Sequence, residues 1–106
     1  MSTMHLIQIL LPVYDNQGNE LPQVEFRRVS SELSHRFGGV TAFTRAPAEG
    51  IWKESDTAHP THDDIVVVEV MVEDIDRAWW ATYRKDLERR FKQDEVVIRA
   101  QTMEQL

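Results

Sequence analysis

The sequence predicts a single α+β domain with two helices packed on one face of an antiparallel sheet. Three observations lead there. Apolar residues at 26, 29, 33 and 37, and again at 80, 83, 87 and 91, recur at spacings of three and four, the signature of one buried helix face. Four short runs, 4–13, 40–45, 65–72 and 95–102, carry the apolar and β-branched residues of strands, with turn formers around them. These segments follow one another as strand, helix, strand, strand, helix, strand within 106 residues, a length that supports one core and not two.

The first strand, Met4 to Val13, is closed by Pro12 and the turn-forming run Asp15-Asn16-Gln17-Gly18-Asn19. Pro22 then suits a first helical turn, which needs no N–H from it. Phe26, Val29, Leu33 and Phe37 form the inner face of the first helix, and Gly38-Gly39 ends it, since glycine accepts the left-handed C-terminal conformation. Val40 to Arg45 is the second strand. It breaks at Ala46-Pro47-Ala48-Glu49-Gly50, and Ile51-Trp52-Lys53 is a place for it to resume.

Ile65 to Val72 is the strongest strand of the chain, and Asp74 or Asp76 is placed to cap the helix that follows. That helix carries Trp80, Tyr83, Leu87 and Phe91 inward. Its outer side carries the pairs Arg84–Glu88, Asp86–Arg90 and Glu88–Lys92 at helical spacing. One Trp ring of Trp79-Trp80 belongs against the sheet, the other at the boundary between helices. Glu95 to Thr102 is the last strand.

Two successive βαβ units with right-handed crossovers give the ferredoxin-like βαββαβ arrangement. The expectation is therefore one ferredoxin-like domain over residues 1-106. Its four-stranded antiparallel sheet has the first and third strands central and two helices on one face. Side chains alternate across a sheet. Val66, Val68, Val70 and Val72 go to the helix side with Ile7, Ile9 and Leu11. The other face keeps Leu6, Leu10, Phe43, Ile65, Val67, Met71 and Val97, more apolar surface than a soluble monomer leaves bare. A second copy is the simplest cover, which makes the expected assembly a homodimer through the open sheet face, a dimeric α+β barrel.

Polar groups interrupt that face: Gln8, Glu69, Arg99 and, with the second strand, Arg45. A charge among aliphatics has to be paired or neutralised. Glu69 with Arg99 or Arg45 is the natural pair. It serves either as an ion-pair network that fixes a dimer, the weightier reading, or as a set of groups that orients a small polar ligand between sheets. Trp52, after the Gly50 turn, either packs on a hairpin or closes over such a cavity. No residue is assigned a catalytic role.

The remaining features exclude more than they assign. Eighteen acids against twelve bases give a net charge of −6, which disfavours nucleic acid as a partner. The basic cluster Arg84, Lys85, Arg89, Arg90 and Lys92 is interleaved with acids and suits a solvated helix face. The chain has no cysteine, so disulfides and thiolate metal sites do not arise. His59 and His62 with Asp63 and Asp64 are metal-ligand types, but Pro60 and the polar loop around them are a poor frame, so no metal and no cofactor is expected. No apolar run reaches the roughly 20 residues of a membrane span, and Met1 to Leu11 lacks the form of a signal peptide. The cytoplasm is the expected location.

Phe37-Gly38-Gly39-Val40-Thr41, then Gly50-x-Trp52, then Glu69, resemble motifs of small uncharacterised bacterial proteins of ferredoxin-like, dimeric α+β barrel architecture. Those proteins carry Phe-x-Gly-[Leu/Val]-Thr, a Gly-x-Trp and a Glu in the next strand. The resemblance implies the same fold and a shared neighbourhood for Trp52 and Glu69. It implies no reaction. The functional expectation is a cytoplasmic homodimer with a small-molecule pocket on its open sheet face. The alternatives are a cofactor-free enzyme resembling monooxygenases or isomerases of the dimeric-barrel kind, and a protein-interaction module.

Overall fold

A computed structural model describes residues 2–45 and 65–106, with side chains over 3–41 and 65–106. Six elements follow in chain order: β1 (Ser2–Pro12), α1 (Gln23–Phe37), β2 (Thr41–Arg45), β3 (Ile65–Val72), α2 (Arg77–Arg90) and β4 (Val97–Gln105).

Local chemistry sets their ends. Pro22 stands at the N-cap of α1 with an extended backbone, one position before the turn where it was expected. Gly38 ends α1 at φ 85° and donates its N–H to the Ser34 carbonyl at 2.8 Å. Asp76 caps α2, its Oδ1 accepting the Trp79 N–H at 3.1 Å. The turn after β1 is built on Asp15, whose Oδ1 accepts the N–H groups of Gln17 and Asn19 at 2.9 and 2.8 Å. Gln93 ties this region to the end of α2, donating to the carbonyls of Tyr14 and Phe91.

β4 starts at Val97 and not at Glu95, because Val96 is sunk in the core with its N–H on Glu88 Oε2 at 3.0 Å. β4 then runs past Thr102 to Gln105. β1 begins correspondingly early, so that Ser2 faces Gln105 and Met4 faces Met103.

The strand order is β2-β3-β1-β4 and all neighbours are antiparallel. The strands differ in weight. β1 pairs with β3 over eight residues and with β4 over nine, whereas β2 meets β3 over five. This corrects the expected ferredoxin-like βαββαβ fold with its four-stranded antiparallel sheet. The fully paired body is a three-stranded antiparallel sheet, β3-β1-β4, joined with two helices as β-α-β-α-β, and β2 adds only a five-residue strip to its edge. The physical reason is length, since only Thr41–Arg45 of the second strand segment pairs. The suggested resumption at Ile51-Trp52-Lys53 lies outside the described residues.

The core lies between the sheet and both helices. Ile7, Ile9 and Leu11 of β1 and Val68, Val70 and Val72 of β3 meet Val29 and Leu33 of α1 and Trp80, Tyr83 and Leu87 of α2. Burying each such side chain fully contributes roughly 1.5–3 kcal/mol. Trp80 is the ring that enters the core. Trp79 stays partly buried, stacked on Tyr83 at 4.9 Å and edge-on to Phe37 at 5.5 Å, with the Arg36 guanidinium 4.2 Å from its centre.

The outer side of α2 is not the wholly solvated face expected of its basic cluster. The Arg90 side chain is only 8 % exposed and lies between the helices, with Nη1 2.8 Å from Glu32 of α1 and 3.2 Å from Asp86. Tyr83 donates its hydroxyl to the same Glu32 oxygen at 3.0 Å. Burial first, and then the neighbouring Glu32 carboxylate, hold the Tyr83 proton on well above the ordinary phenol range. The expected Glu88–Lys92 pair is not among the ion pairs of the described residues. Lys92 has left the helix, at φ 52°.

Candidate functional site

Antiparallel register places one residue of each strand on a line across the outer face of the sheet. Thr41 is opposite Glu69, Glu69 is opposite Gln8, and Gln8 is opposite Arg99. Residues directly opposite share a face and lie close enough for side chains to meet. Gln8 Nε2 donates to Glu69 Oε2 at 2.7 Å, and Arg99 Nε donates to Gln8 Oε1 at 2.8 Å.

The expected direct pair of Glu69 with Arg99 is thereby corrected. β1 lies between β3 and β4, so the Gln8 amide stands between carboxylate and guanidinium and bonds to both. Arg45 is not on this line. Its backbone faces Ile65, four residues and roughly 13 Å along β3 from Glu69. Trp52, His59 and His62 fall outside the described residues. Of the five candidate residues, the structure thus joins Gln8, Glu69 and Arg99.

The apolar rows on either side are less bare than expected. Val67, opposite Leu10 and Phe43, is 1 % exposed and does not contribute open surface. Leu6, Leu10 and Ile65 are half-buried, while Met71 and Val97 remain 38 % and 45 % exposed.

An open depression of about 650 Å³ lies beside Glu69. It is lined by Leu6, Met71 and Met103 of the sheet and by Phe37, Gly38, Gly39 and Val40, the exit from α1. Glu69 and Thr41 are its side-chain hydrogen-bonding groups. An ionised carboxylate offers about four acceptor positions. The bond from Gln8 to Oε2 uses one, so Glu69 retains capacity for a donor brought into the depression.

No family model, curated protein or solved structure matches this chain.

Several motif residues nevertheless meet here. Phe37, Gly38, Gly39, Val40, Thr41 and Glu69 all border the depression, although β2 and β3 are far apart in sequence. In the sequence the glycines mark a helix stop and part of the Phe-x-Gly motif, and Met103 falls beyond the last strand segment, in the tail. The signal available for Thr41 was its alternation with Phe43, but the register that sets it against Glu69 is not written in either strand alone. The described histidines stand elsewhere. His5 Nδ1 lies 2.9 Å from the Glu73 carbonyl, and His35 is exposed on α1.

Proposed function

We propose that this protein is a small-molecule-binding domain that works through the outer face of its sheet. The observation that supports this reading is the Glu69–Gln8–Arg99 line, a hydrogen-bonded polar strip between apolar residues such as Leu6, Leu10, Met71 and Val97, ending beside an open depression. Gln8 fixes the Glu69 carboxylate in place, and a group held in one geometry loses little freedom when a ligand docks on it. A homodimer formed through this face, in the cytoplasm, is part of the proposal. The exposed Met71 and Val97 are the apolar groups that a second copy would cover.

The reading is tested by ligand-observed NMR against a panel of small amines, alcohols, carboxylates and sugars, with Glu69→Gln alongside. Binders that lose affinity in Glu69→Gln support it. A panel without a binder, or binders indifferent to that change, overturns it. Light scattering at micromolar concentration tests the dimer. Twice the chain mass, reduced to one by Met71→Glu, is the expected result, and a monomer in the parent protein removes the dimer from the proposal.

A further inference from the structure

We infer that the depression beside Glu69 selects a small primary ammonium ion with an apolar body, an inference that rests on the ligand-binding reading above. The first ground is the chemistry of the lining. Its charged side chain is a carboxylate, Glu69, and the residue opposite in register is the hydroxyl-bearing Thr41. Both accept hydrogen bonds, and an ammonium group brings three donors and no acceptor. The rest of the wall, Leu6, Phe37, Val40, Met71 and Met103, is apolar and suits an alkyl or aryl chain.

The second ground is the end of α1. The last carbonyls of a helix carry partial negative charge, which adds to that of Glu69 and disfavours an anion. Among the described residues two cations work against this, Arg99, which the Gln8 amide separates from Glu69, and Arg36 in that last turn. The Arg36 guanidinium is engaged over the Trp79 ring at 4.2 Å. The net charge of −6 acts in the same sense as Glu69.

The third ground is Gly39. Gly38 is explained by its φ of 85°, but Gly39 is not among the residues of positive φ. A Cβ built on Gly39 meets no atom of the described residues within 4 Å, so their packing does not require glycine there either. Glycine carries an entropic cost in the unfolded chain. At a position bordering the depression, its absent side chain leaves the rim open.

The test uses three probes of equal length, hexylammonium, hexanol and hexanoate, titrated into ¹⁵N-labelled protein. Hexylammonium is expected to shift the amides of Gly38, Gly39, Thr41 and Met71 and to bind about tenfold or more tightly than hexanol, the scale of a hydrogen bond to a charged group. Hexanoate is expected to be the weakest. Glu69→Gln should remove the advantage of the amine over the alcohol, and Gly39→Leu should weaken both, each variant keeping the parent's spectrum elsewhere. If hexanol or hexanoate binds as well as the amine, with the same amides shifting, the site stands and the ammonium preference is overturned. If no probe moves those amides, the binding reading for this depression falls with it. Amine binding that survives both substitutions places the ammonium elsewhere and overturns the inference.

Discussion

Gln8 donates to Glu69 across the β1–β3 ladder at 2.7 Å, and among the described residues this amide, not an arginine, holds the carboxylate on the sheet face. The energetic consequence differs from that of a buried ion pair. Removing one partner of such a pair strands a charge and costs about 3–5 kcal/mol. Here Arg99 is exposed, so losing Glu69 strands no buried cation. Glu69→Ala is expected to cost only about 1 kcal/mol, the net worth of one hydrogen bond. Gln8→Leu should cost more, about 1–3 kcal/mol, because it leaves the half-buried carboxylate without its donor. Urea denaturation of both variants checks the order. A Glu69→Ala loss larger than that of Gln8→Leu would contradict it.

Arg90 joins the helices. Its side chain contacts Glu32 of α1 and Asp86 of its own helix, and its Nε lies 3.8 Å from Glu25. Arg90→Met is expected to destabilise by about 2 kcal/mol, because charge-assisted hydrogen bonds are worth roughly 1.5–3 kcal/mol and the acids left behind are only partly buried. Arg90→Lys should fall between, since an ammonium keeps a charge for Glu32 and Asp86 but on a flexible stem without the planar guanidinium that fills the space between the helices. Tyr83→Phe, which removes the second donor to Glu32, should show a coupling to Arg90→Met in a double-mutant cycle. Strict additivity would mean that the two donors act independently.

The sequence discloses each of these two clusters only in part. Periodicity suffices for the helices and the alternation of Val66 to Val72, because burial acts on each residue locally and repeats with the geometry of the element. It also separates Gln8, Glu69 and Arg99 onto the outer face. It cannot say that Gln8 stands between the other two, because that depends on which strand is central and on register between distant segments. Arg90 shows the same limit. Its i,i+4 relation to Asp86 is visible in the chain, while its burial comes from Glu25 and Glu32 on a helix some sixty residues earlier, which only packing brings close. The unequal length of β2 is a third case, since propensity marks where a strand can start and not how far its neighbour continues.

Acid should weaken the fold through Asp15 and Asp86. The Asn19 backbone N–H, with that of Gln17, holds the Asp15 carboxyl below its ordinary value of 3.8. At Asp86 burial acts against the charged form, but hydrogen bonds from Arg90 and Arg89 outweigh it and the pKa is again lowered. A depressed folded-state value means the unfolded chain binds protons first, so stability rises with pH in this range. The contribution is present above 3.8 and lost as pH falls through the lower folded values. Asp15→Asn keeps a side-chain acceptor for the turn but cannot titrate. Its melting temperature should fall less than the parent's between about pH 4 and pH 2. Equal slopes for the two proteins would show that Asp15 does not contribute to the acid loss.

Gly38 and Gly39 are adjacent and chemically identical, yet the structure requires only the first. At φ 85° Gly38 occupies the left-handed region that closes α1, where a Cβ crowds the following carbonyl. Gly38→Ala should cost about 1 kcal/mol for that reason, even though a built Cβ meets nothing within 4 Å among the described residues. The strain lies in the backbone and not in the surroundings. Among the described residues Gly39 meets neither constraint. Gly39→Ala should leave stability unchanged or raise it by about 0.4–1 kcal/mol, because alanine restricts the unfolded chain without opposing the folded one. Thermal denaturation of the pair, measured without added ligand, separates the two roles. A Gly39→Ala protein as destabilised as Gly38→Ala would show that the second glycine also serves the fold, and would take away one ground for reading it as the open rim of a binding site.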